Sequence, residues 1–177
     1  MAVLIEGISE VVRADAIFQV FPGDWEAFKK IVPNRTLCAD GEVARVGFMT
    51  PVDVQTFIDR LKENGLTFQT EGRSKHIVVI DQIRGPMTAC DWIEFGRVDW
   101  DGDGHQVAAC RLVDTKVQPV VTPPDWVYEE SLTASFGFVP TEHEQKSLQV
   151  LRHEDGLDVY LNLLPGREVF VGRNGNA

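Results

Sequence analysis

At three places the chain sets Asp-Gly between runs rich in apolar and β-branched residues: Asp40-Gly41, Asp101-Gly102-Asp103-Gly104 and Asp155-Gly156. Asp and Gly tolerate the backbone angles that a tight hairpin demands, and a tight hairpin joins antiparallel neighbours. A parallel pair would need a crossover of a dozen or more residues. These turns therefore predict strands at Leu37–Ala39 and Val43–Met49, at Trp92–Trp100 and Gln106–Val113, and at Leu148–Arg152 and Leu157–Leu163. Ile8–Val12, with a start as early as Val3, and His76–Gln82 add β-branched runs, Leu66–Phe68 a short strand, and Glu168–Val171 a last one.

Two segments carry helical spacing. Trp25–Val32 follows Pro22-Gly23-Asp24, with Asp24 as cap. Val52–Asn64 follows Thr50-Pro51, a cap and a first-position proline, and ends at Asn64-Gly65. Asp125 caps a short helix through Trp126 and Leu132, after a proline-rich connector from Asp114 to Pro124. The expectation is an α+β fold in a single domain spanning 1–171. Its sheet is mixed or mostly antiparallel with two main helices, and 172–177 form a flexible tail. At 177 residues the chain can bury a core without disulfides or metal.

Composition narrows the function classes. A net charge of −10 argues against a phosphate-backbone partner, so no nucleic acid is expected. No apolar stretch approaches the ~18 residues of a membrane span, and Glu6 interrupts the first apolar run. Cys38, Cys90 and Cys110 are widely spaced with no CxxC pair, which fits a reduced cytoplasm. No GxSxG, Walker A or GxGxxG string occurs, so no catalytic set, cofactor or metal ligand set is assigned. Asp40 and Asp91, beside Cys38 and Cys90, disfavour their thiolates.

Asp99, Asp101, Asp103 and Gly104 match the start of a calcium loop, but Cys110 stands where the bidentate glutamate belongs. A solvated acidic turn is the better reading. His76 is expected to satisfy an edge hydrogen bond, His143 and His153 to be polar surface, and His105 to lie beside the aspartates. The segment Trp92–Trp100 alternates strongly, with Trp92, Glu94, Gly96, Val98 and Trp100 on one face.

The stretch Glu42–Phe95 resembles one βαβββ module of the vicinal oxygen chelate superfamily. The resemblance rests on the strand Arg45–Met49, the helix Asp53–Gly65, the strand Ile77–Asp81 and the closing strand Trp92–Phe95. It implies a fold built from βαβββ-like units, with metal ligands at the start of the first strand and on the last. Arg45 holds the first of those positions and has no lone pair to offer; Glu94 matches the last.

Two functions follow. The first is a non-catalytic acidic protein, immunity- or inhibitor-like, that binds a basic protein partner through Trp92, Glu94, Trp100, Asp101 and Asp103. The alternative is a small-molecule-binding or metal-dependent enzyme on a vicinal-oxygen-chelate-like scaffold.

Overall fold

The computed structural model describes residues 1–102, 104–135, 148–154, 157–162 and 167–172, with side chains for 1–102 and 104–134. The fold is α+β with mostly antiparallel sheets, as the turns predict. The sequence reading places 1–171 in one domain. By its internal contacts the chain gathers into two compact units, Met1–Asp125 and Trp126–Ala177.

The first unit opens with β1 (Ala2–Leu4) and β2 (Ile8–Arg13), two strands in place of one continuous run from Val3. Then come α1 (Ala14–Val20), α2 (Asp24–Ile31), β3 (Cys38–Ala39), β4 (Val43–Phe48) and α3 (Pro51–Glu63). Short strands β5 (Gln69–Thr70) and β6 (Arg73–Ser74) form a small hairpin; the strand expected at Leu66–Phe68 is displaced to β5. The unit continues with β7 (Ile77–Asp81), β8 (Gly85–Pro86), β9 (Ile93–Asp99), β10 (Gln106–Leu112) and β11 (Val120–Val121). In the second unit a 3-10 turn at Tyr128–Glu130 and α4 (Leu132–Ser135) replace the single helix expected there. Strands β12 (Leu148–Glu154), β13 (Leu157–Asn162) and β14 (Arg167–Gly172) form an antiparallel meander. The Asp155-Gly156 turn, His143, the side chain of His153 and the tail beyond Gly172 lie outside the described residues.

Two sheets build the first unit. One runs β3-β4-β2-β7-β8, all antiparallel; the other runs β11-β1-β10-β9, with only β1 and β11 parallel. The connector Asp114–Pro124 thus supplies a strand that its prolines concealed. In the five-stranded sheet Val12, Ala44, Val46, Ile77 and Val79 face the helices, where Ile17, Phe28, Val54, Phe57, Ile58 and Leu61 close the layer. Phe28 is its aromatic centre, touching Phe21, Trp25 and Phe57 with centroids 5.4–6.5 Å apart. The other face carries Ser9, Val11, Arg45, Val78 and Ile80, all buried as well. There β1 packs against β3 and β4, and β8 against β9. A sheet covered on both faces reads as near-continuous apolar runs, which is how β7 reads.

Local chemistry explains the best-formed elements. Asp40 Oδ1 accepts from the N–H groups of Glu42 and Val43, both at 2.9 Å, which fixes the β3–β4 hairpin. Thr50 Oγ1 accepts from the Asp53 N–H at 3.2 Å and donates to Asp53 Oδ2 at 2.7 Å. At the other end of α3, Gly65 adopts φ +93, and the N–H groups of Leu66 and Gly65 reach the carbonyls of Leu61 and Lys62. Both ends of the helix are therefore satisfied. Thr50→Ala is expected to lower unfolding free energy by about 1 kcal/mol in urea titration, since one first-turn N–H loses its acceptor.

Candidate functional site

The hairpin of β9 and β10 forms as the turn predicts, and its register sets Glu94 opposite Arg111, Gly96 opposite Ala109 and Val98 opposite Val107. Alternation puts Glu94, Gly96 and Val98 on one face, and that face lines an open groove. Phe95, Arg97 and Cys110 also line it, and Ala2, Ala109, Arg111 and Val117 complete its walls, so two arginines and one glutamate border the groove. The cavity measures about 190 Å³. Glu94 is exposed and ion-paired with Arg111 across the strands. A side chain added at Gly96 would meet nothing, so the glycine keeps the groove floor low.

Trp92 does not belong to this surface. It precedes the first paired residue of β9, is only 8% exposed, and donates from Nε1 to the Ser74 carbonyl at 3.0 Å. The Arg13 guanidinium lies 5.8 Å from its ring centroid, and Arg13 itself pairs with Asp15 at 2.6 Å. Trp92 is therefore a core residue, and the reading of it as a surface anchor is corrected. Trp100, one residue past β9, is half-buried and donates its backbone N–H to His105.

In the turn after β9 the described carboxylates, Asp99 and Asp101, make contacts within the turn. Asp99 Oδ1 accepts from the Gly102 N–H at 2.9 Å, and both oxygens reach the Gly104 N–H at 3.1–3.2 Å. Asp101 Oδ2 lies 2.6 Å from His105 Nδ1, a pairing exposed to solvent. Asp103 lies outside the described residues. Among the described residues no three His, Cys, Asp or Glu side chains gather as a metal site.

The cysteines are poor nucleophiles, though for a different first reason than sequence suggests. Burial pushes the Cys38 thiol up to about 11, with Asp40 a lesser cause that Arg45 opposes. Burial likewise raises Cys110 and Cys90. His76 Nδ1 accepts from the Thr67 N–H at 3.0 Å, the edge bond expected of it. Burial and the neighbouring Lys75 and Arg13 lower its pKa, which keeps the ring neutral.

Sequence reasoning missed two buried polar groups. Arg45, 2% exposed, lies between the sheets: Nε donates to Ser9 Oγ at 2.8 Å, Nη2 to the Glu6 carbonyl at 2.7 Å, and Nη1 reaches the Thr36 carbonyl at 3.4 Å. Its role is to bridge β2, β4 and the chain before β3, where the resemblance would put a metal ligand. Glu10, wholly buried, is the second group. A polar residue inside a strand signature was the available signal for both.

The segment Glu42–Phe95 runs strand, helix, strands in order, but β4 and β7 flank β2 and β9 joins the other sheet. Comparison with protein-family models, curated proteins and solved structures finds no match.

Proposed function

We propose that the chain is a non-catalytic binding protein that holds a basic segment of another protein against the outward face of β9 and the turn after it. The observation that carries this reading is the groove itself. It lies along β9, where Glu94 is ion-paired with Arg111 and Arg97 lines the same groove, so the acidic character offered to a basic partner comes from Asp99 and Asp101 in the adjoining turn and from the net charge. Ten surplus negative charges add a long-range field that speeds encounter with a basic partner and rejects acidic ones. Small-molecule pockets usually enclose about 300–1,000 Å³. A groove of about 190 Å³ suits one inserted side chain better.

The test combines partner capture with a defined variant. Trp100→Ala with Asp101→Asn should weaken binding of the captured partner by about tenfold, and wild-type association should slow as ionic strength rises beyond ~0.15 M. A folded double variant with unchanged affinity and salt dependence would remove this surface from consideration.

A further inference from the structure

Glu10 stands at the centre of β2, with Val46 on one side and Val79 on the other, each in direct register. With Ile8 and Val12 it faces the helix layer, whose buried residues are apolar. From α3 these are Val54, Phe57, Ile58 and Leu61, and from α1 Ala14, Ala16 and Ile17. The acids and bases of the three helices, Asp15, Asp24, Glu26, Lys29, Lys30, Asp53, Asp59, Arg60, Lys62 and Glu63, are on exposed residues, and Asp81, on the same face at the end of β7, accepts from the N–H groups of Ile83 and Arg84. Neither carboxyl oxygen of Glu10 has a hydrogen-bond partner. A charged carboxylate so placed would lose its hydration with nothing in return. The group therefore carries its proton in the closed fold.

We infer that Glu10 is a proton-held latch: its neutral carboxyl lets α3 close over β2, and its ionisation drives that layer open to water. Only the O–H bond breaks, and the proton passes to solvent. The moving piece is defined, because α3 contacts both β2 and β4 and is capped at each end, so it can lift as a unit.

Burial alone raises this carboxyl to about 9 in the closed state. An opened, hydrated Glu10 returns to about 4.5. The closed state thus binds more protons between these values, and closure weakens as pH rises through that window. Each pH unit should raise the open fraction about tenfold. His76 and the buried thiols bracket a clean interval at about pH 7–8.5. There the imidazole is neutral, and burial keeps the Cys38 and Cys110 thiols protonated in the closed fold.

The experiment is hydrogen exchange of α3 and β2 amides across that interval, corrected for intrinsic exchange, in wild type, Glu10→Gln and Glu10→Leu. Opening should rise about thirtyfold over the range in wild type and stay flat in both variants. Infrared spectroscopy at neutral pH should show a protonated-carboxyl band that either variant abolishes. If only one variant folds, it and the wild-type band decide. Equal slopes in wild type and variant, no Glu10-dependent band, or an excess confined to amides that exchange by global unfolding would each overturn the latch.

Discussion

Arg45→Ala should lower the unfolding free energy by about 4 kcal/mol, enough to leave a marginal domain largely unfolded at room temperature. The side chain is wholly buried, and its three hydrogen bonds end on three different segments. Truncation strands the Thr36 carbonyl, leaves the Glu6 carbonyl with Ser9 Oγ as its remaining side-chain donor, and opens a guanidinium-sized void between the sheets. Each orphaned acceptor costs about 1–3 kcal/mol, and the void adds its own term. Ser9 Oγ keeps a second bond, donating to the Glu6 carbonyl at 3.0 Å, which tempers the loss there. Arg45→Lys should recover less than half, because an ammonium on a flexible stem cannot serve acceptors that a planar fork spans. Urea titration at constant m measures both. A loss below about 1 kcal/mol for alanine would show that the guanidinium does not hold the sheets together.

The same residue shows where sequence reading stops. Hairpins and α3 are legible because their causes are local: an Asp carboxylate on nearby N–H groups, a threonine cap, a left-handed glycine. Helix α1 carries no such mark. Its cap residue, Arg13, makes no side-chain capping bond, and the helix continues directly from β2 without a break. Glu10 and Arg45 owe their environments to strands and helices distant in sequence, so nothing within a few residues announces them. The candidate site divides likewise. Alternation places Glu94, Gly96 and Val98 together, since that is a property of the strand itself. It fails at Trp92, where β9 has not yet begun and the ring is held by Ser74, eighteen residues earlier.

Gly47→Ala should cost about 3 kcal/mol, and most of that loss should vanish when Arg45 is absent. Gly47 lies two residues beyond Arg45 on the same face of β4, and the guanidinium folds over it. A methyl placed there would sit 2.5 Å from Nη2, 2.8 Å from Cζ and 3.1 Å from Nη1. An arginine tip on a surface would swing aside at little cost. This one is held on three sides and closed in by both sheets, so it moves only by breaking its bonds to Glu6, Ser9 or Thr36. Backbone conformation is not the constraint, because Gly47 is absent from the positive-φ glycines of the chain. The Gly47 carbonyl also accepts from Asn34 Nδ2 at 2.8 Å, and its N–H donates to Thr36 Oγ1 at 2.7 Å, so β4 cannot retreat either. A double-mutant cycle separates these causes. With alanine at 45 the methyl enters the void left by the guanidinium, and Gly47→Ala should then cost less than about 1 kcal/mol. The coupling between the two positions should reach about 2 kcal/mol. Additive losses would mean that glycine serves the strand and not the arginine.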